Sequence, residues 1–303
     1  MTRLSITLTL ALLLLFQNSA LGCTSFARLV GKPLFGMNFD YAQFPMKLIV
    51  ENHAKSGTRT FHLAFEKKLG DQTLFANTAG MNSHGLFYAC QELYPPISPD
   101  PSGPEETPLF MINAMVNKKH NVMEIQRVLS HTRATQIPGV TLHTLFADAS
   151  GRALIVEPSA SKHHLIESSP QTPWLIMANF PNHLTSDKNQ ASGIGADRYR
   201  ALHNALTQTQ NAFSVKEAFA ALEAARNRNP LYPTSCSMVF KPQTQEIFLA
   251  FHCNFNQIWK VALSQQKLLK IKGNNVGVEH QITESGILVS TLVKEGVQEN
   301  RPL

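Results

Sequence analysis

The strongest constraint in this chain is the join at residues 22 and 23, where an apolar leader gives way to a cysteine. Met1-Thr2-Arg3 is a short positive start. Leu4 to Phe16 is an apolar run, and Gln17 to Gly22 is a small, polar stretch ending Ala20-Leu21-Gly22. The run is too short for a transmembrane span, which takes roughly 20 residues. Ala20 and Gly22 fit the small-residue sites read by a signal peptidase. The sequence therefore predicts a signal peptide over 1–22, removed before Cys23, and an exported chain, periplasmic or extracellular.

The composition is globular, with 43% hydrophobic and 16% charged residues in 303. No Gly/Pro/Ser linker divides the chain and no fixed-period repeat appears, so residues 23–303 are expected to form one domain. The formal charge of +6 is spread out, with no Lys/Arg run longer than two, which argues against a nucleic-acid partner. A homo-oligomer is compatible with this composition.

Four cysteines are present: Cys23, Cys90, Cys236 and Cys253. In an exported chain an even set predicts disulfides. If Cys23 is the new N-terminus, three remain, and a single bridge leaves one thiol to explain. Cys23 has three readings. It is a structural cysteine, or a lipid-acylated one behind a loose lipobox (Ala20-Leu21-Gly22), or a nucleophile. The third has a specific chemical logic. A free thiol ionises near pH 8.5 and an α-amine near 7.7–8.0, so a terminal cysteine carries its own base.

Cys23 to Val30 reads as a strand, followed by a Gly31-Lys32-Pro33 turn and a second strand from Leu34 to Asp40. The hairpin brings Asp40 back beside Cys23. Further short blocks come in order: Gly80-Met81-Asn82-Ser83-His84-Gly85-Leu86; Thr141-Leu142-His143 with Asp148, Ser150-Gly151 and Val156-Glu157; Ala178-Asn179-Phe180-Pro181; Asp197-Arg198-Tyr199-Arg200; and Thr234-Ser235-Cys236-Ser237.

With Cys23-Thr24 and Gly36-Met37-Asn38-Phe39-Asp40, these blocks resemble the choloylglycine hydrolase family. That family includes bile salt hydrolases and penicillin V acylases, and its members are N-terminal-nucleophile (Ntn) hydrolases. The resemblance implies an α+β fold, a four-layer αββα sandwich, and hydrolysis of a linear amide bond in a small N-acyl amide without a cofactor or metal. It implies Cys23 as nucleophile, Asp40 holding the α-amine, Asn179 donating its side-chain NH₂ to the oxyanion, and Arg198 favouring the thiolate. A second oxyanion donor would be the backbone N–H near Glu92. Met37 stands where the relatives carry arginine, which removes a cation and makes the substrate pocket more apolar. The alternative is an inactive exported or lipid-anchored binding protein on the same fold.

Other chemistries find no support. No G-x-S-x-G, H-E-x-x-H or C-x-x-C occurs. His163 and His164 are adjacent and would point to opposite faces of a strand. His84 in a turn and His143 in a strand read as structural. The apolar spacings over 110–129 and 215–225 predict core-facing helices, and Asp197 is expected to cap a further helix from 197 to 206. The prolines from Pro95 to Pro108 predict a surface loop. Strands are expected over 23–90 and 140–180, with one more pair after 234.

Overall fold

The computed structural model describes residues 22–42, 44–69, 72–96, 106–108, 116–130, 133–135, 141–159, 163–169, 171, 173–185, 191–209 and 213–297. The predicted leader up to residue 21, most of the proline-rich loop and residues 109–115 lie outside them. Among the described residues no helix is long and apolar enough to cross a membrane.

Two eight-stranded antiparallel sheets form the body. The first runs, in spatial order, β12 (Trp174–Met177), β1 (Thr24–Arg28), β2 (Leu34–Asp40), β13 (Thr234–Lys241), β14 (Glu246–Phe251), β15 (Ile258–Ala262), β16 (Lys267–Lys272) and β17 (Glu279–Gln281). The second runs β11 (His163–Glu167), β10 (Ala153–Pro158), β9 (Leu142–Ala147), β6 (Phe87–Glu92), β5 (Gln72–Asn82), β4 (Thr58–Leu69), β3 (Met46–His53) and β18 (Ile287–Leu288). Two short strands, β7 (Glu106–Pro108) and β8 (Arg133–Thr135), pair in parallel.

β1 and β2 are buried at every position, which is expected of a sheet covered on both faces. One set of alternate side chains faces the second sheet. There Phe35 stacks on Phe87 with ring centroids 5.3 Å apart, and Phe87 meets Phe240 at 4.7 Å. Cys23, Met37 and Phe39 belong to this shared core. The other set, with Phe26, Ile176 and Val239, packs on helices α2 (Ala196–Gln208) and α3 (Val215–Ala224). On the second sheet, Tyr88, Phe146 and Val156 pack on α1 (Val122–Leu129). A last helix, α4 (Val289–Val297), comes after β18.

The β1–β2 hairpin and α3 lie where the sequence places them. Ser214 and Glu217 form a capping box that starts α3. The expectations for α1 and α2 need correction. Among the described residues the first helical pattern is helical only from Val122, where Asn121 accepts from the Glu124 N–H as N-cap. Helix α2 starts at Ala196 behind Gly195, whose φ of 83° few residues other than glycine adopt readily, so Asp197 lies in the first turn. After residue 234 the chain makes six strands rather than one pair. The lysines of β16, KLLKIK, hide the apolar alternation that would have revealed it. Among the described residues no disulfide joins any of the four cysteines, contrary to the expectation from their even number.

β10 delivers a buried carboxylate, Glu157, to the segment after β12. Burial alone would raise its pKa, but the donors of His143 and Asn182 outweigh burial and hold it near 2 instead of 4.5. The folded carboxyl therefore binds its proton less readily than the unfolded one. Its stabilisation is complete above about pH 5.5 and is lost as the pH falls through 4.5 toward 2. In urea titrations from pH 7 to 3, Glu157→Gln should show a shallower acid loss than wild type. Identical acid limbs would refute this reading.

Candidate active site

Cys23 sits at the head of β1, with only 4% of its surface exposed. The register that pairs Thr24 with Asn38 carries the chain on to Asp40, whose backbone N–H pulls the pKa of the Cys23 thiol down. The Asp40 carboxylate is fully buried and engaged by two groups. Arg198 Nη1 donates to Oδ2 at 2.5 Å, and Thr234 Oγ1 donates to Oδ1 at 2.5 Å. Thr234 itself accepts from the Asn227 N–H at 2.8 Å. Register explains the placement of Thr234. β13 pairs Thr234 with Asp40 and Cys236 with Phe39, so Ser235 is the extra residue of a bulge.

Arg198, in the first turn of α2, is 5% exposed and joins two site residues. Its Nη2 donates to Asn179 Oδ1 at 3.3 Å. Asn179 lies just after β12, and its Nδ2 donates to the Glu92 carbonyl at 2.7 Å. The Asn179 carbonyl accepts from the Tyr94 N–H at 2.7 Å. An amide nitrogen carries two protons, so Asn179 keeps one for a further acceptor. The structure thus gathers Cys23, Asp40, Asn179 and Arg198 with the Glu92 main chain. Met37 is fully buried in the core cluster that contains Cys23. The Glu92 carboxylate accepts from the Tyr94 hydroxyl. Burial raises its pKa, against the pull of Tyr94 and Lys67.

The electrostatics differ from expectation at the thiol. Burial pushes the Cys23 pKa up, and the negative charge of Asp40 adds to it. The Asp40 N–H and the Arg198 charge pull down but do not win. The physical reason is that Arg198 is already neutralised by Asp40, so with Gly22 attached the thiol stays protonated. Burial likewise pushes Asp40 up to about 7, opposed by Arg198 and Thr234.

Gly22 packs against the same arginine. A β-carbon on it would lie 2.5 Å from Arg198 Nη2 and 2.6 Å from Nη1. Sequence reasoning gives Gly22 no role beyond the cleavage site, and none to Thr234. Thr234 falls inside a recognised block, but its partner becomes visible only through the β2–β13 register. The cavity at Leu29 and Val30 lies at the far end of β1 from Cys23 and belongs to no part of this constellation. Among the described residues no group of three or more His, Cys, Asp or Glu is placed to hold a metal ion.

No protein-family model and no curated protein matches the chain. Solved structures do. A variant of conjugated bile acid hydrolase from Clostridium perfringens superposes with a TM-score of 0.62 at 17% identity, covering 86% of this chain and 100% of that one. Penicillin V acylase from Agrobacterium tumefaciens superposes with a TM-score of 0.61 at 14% identity, covering 87% of this chain and 96% of that one. This chain has the fold of those hydrolases. The likeness is one of fold and spans 86–87% of this chain, which is consistent with a sandwich built on its two antiparallel sheets.

Proposed function

We propose that this protein is a four-layer αββα Ntn hydrolase that cleaves a linear amide bond in an N-acyl amide through Cys23. One observation carries the reading. On a fold shared with a bile acid hydrolase and a penicillin V acylase, Cys23 stands directly before the first strand, beside a buried Asp40–Arg198–Asn179 network.

In this mechanism, removal of the chain before Cys23 frees the α-amine. That amine takes the thiol proton, and the thiolate attacks the acyl carbonyl. The second N–H of Asn179 receives the oxyanion. The C–N bond then breaks, and the α-ammonium returns its proton to the leaving amine. Water hydrolyses the thioester, with the α-amine again the base, and regenerates the thiol. Asp40 and Arg198 hold each other and Asn179 in place. The Asp40 oxygens each retain a lone pair for the α-ammonium. Met37 gives an apolar floor where the relatives resembled in sequence place arginine, which favours an acyl amide other than a bile salt or penicillin V.

The deciding experiment is mass spectrometry of the mature N-terminus with a panel of N-acyl amides, acyl-homoserine lactones, penicillin V and conjugated bile acids among them. A free Cys23 amine and a thioester adduct are expected. A diacylglyceryl adduct on Cys23 would sink the enzyme in favour of an anchored binding protein, because thiol and amine would both be blocked. Asn179→Ala should cost about 10²- to 10³-fold in kcat, the usual loss for one oxyanion donor. Unchanged turnover would place the donor elsewhere.

A further inference from the structure

We propose that Glu157 is a positioning residue that sets the reactive geometry of Asn179 through the segment behind it; this rests on the reaction proposed above. The Glu157 side chain is wholly buried, yet it receives five donors. Its Oε1 accepts from Asn182 N at 2.7 Å, Asn182 Nδ2 at 2.9 Å and His143 Nδ1 at 3.2 Å. Its Oε2 accepts from His183 N at 3.0 Å and His183 Nδ1 at 2.8 Å. Four of these five donors belong to Asn182 and His183, just beyond Asn179 in the chain. A buried carboxylate is costly unless its lone pairs are satisfied, so a charge placed here is bound tightly to what it holds.

The intervening residues leave little slack. Phe180 is 2% exposed and packs edge-on against Tyr199, with centroids 5.2 Å apart, on the helix that also carries Arg198. Pro181 fixes its own φ at −66°. His164, paired across the strands with Glu157, stacks on the His183 ring at 3.9 Å. Asn179 is thus held from two sides. Arg198, Tyr94 and Glu92 bind the residue itself, and Glu157 clamps the chain that leads away from it. The clamp reaches the site from the second sheet, so it fixes the donor relative to a scaffold separate from the Cys23 strand.

Glu157→Gln keeps the shape but turns one acceptor into an NH₂ facing N–H donors. The expected result is a fall in kcat of roughly 10- to 100-fold with KM within about twofold, because small misplacements of a reacting group cost rate more than binding. Alkylation of Cys23 by iodoacetamide, which needs no oxyanion donor, should keep its wild-type rate. In an Asn179→Ala background the same change should do almost nothing further, since Glu157 acts through Asn179. Equal losses in both backgrounds, or unchanged kcat in the first, would overturn the proposal. A crystal structure of E157Q decides it without turnover. Asn179 Nδ2 is expected to leave the Glu92 carbonyl, and an unmoved Asn179 would overturn the proposal. If wild type shows no Cys23-dependent hydrolysis, the reaction is wrong and this crystallographic arm alone judges Glu157. Should E157Q fail to fold, His183→Ala with Asn182→Ala removes the two side-chain donors and leaves the two backbone N–H bonds; a smaller fall in kcat of the same kind is expected, and unchanged kcat would overturn the proposal.

Discussion

Cys23→Ala is expected to leave a folded protein with no measurable amide hydrolysis, a loss on the order of 10⁴ or more in kcat. The thiol carries the covalent chemistry of the proposed reaction, and two other cysteines are poorly suited to replace it. Cys236 is fully buried with its pKa raised by burial, and Cys253 is tied to the Thr234 carbonyl at 3.5 Å. Urea denaturation should show only the modest cost of a small buried side chain. The check is paired: kcat on the best N-acyl amide, and the mass of the protein quenched during turnover. Wild type should carry an acyl adduct on the Cys23 peptide, and the variant none. Residual turnover within tenfold of wild type, or an adduct on another residue, would remove Cys23 from the mechanism.

The second large effect is on stability. Arg198→Met should destabilise the fold by about 3–5 kcal/mol, the usual cost of leaving one partner of a buried ion pair alone. It should also lower kcat, by no more than about the 10²- to 10³-fold expected for Asn179→Ala, because Asn179 loses its Arg198 bond. The pH dependence has a definite sign. Asp40 already sits near 7, above its ordinary value, and without the arginine nothing but Thr234 opposes burial. The folded state of the variant then binds a proton that the unfolded state releases above about pH 4. Its stability should therefore rise as the pH falls from neutrality toward 4, opposite to the trend expected from Glu157. Adding Asp40→Asn to Arg198→Met should recover much of the loss at pH 7 by removing the stranded charge. If the double variant is no more stable than the single, packing of the guanidinium and not its charge is what matters.

Much of this site is legible in the sequence because it is local or marked by short motifs. The hairpin from Cys23 to Asp40 declares itself by two β-rich runs about a Gly-Lys-Pro turn, with Gly31 at a φ of 75°. The blocks around Asn179 and Arg198 place two more residues by resemblance. What the sequence hides is long-range pairing. Nothing in residues 34–40 names β13 as the neighbour of β2, so the Thr234–Asp40 bond and the bulge at Ser235 stay out of sight. The resemblance assigns Arg198 to the thiol, whereas its first partner is the carboxylate. Glu157 stands in a recognised strand without a role of its own, because a single acidic residue after an apolar run does not reveal which loop will fold onto it. The start of helix α2 is misplaced by one residue, since Asp197 is a better cap on paper than Gly195.

The contact between Gly22 and Arg198 bears on how such a chain can change over time. A leader's last residue is ordinarily chosen by the peptidase that cuts after it, and drifts among small side chains. If Gly22 is that residue, as the proposed cleavage requires, it also answers to an arginine fastened by Asp40 and Asn179, where even one methyl group would collide with the guanidinium. On the proposed cleavage, the export signal and the reaction centre share a boundary residue. Drift at the end of the leader is coupled to the packing of the site, and grafting a foreign leader with alanine at that position would press on Arg198 before any cleavage takes place.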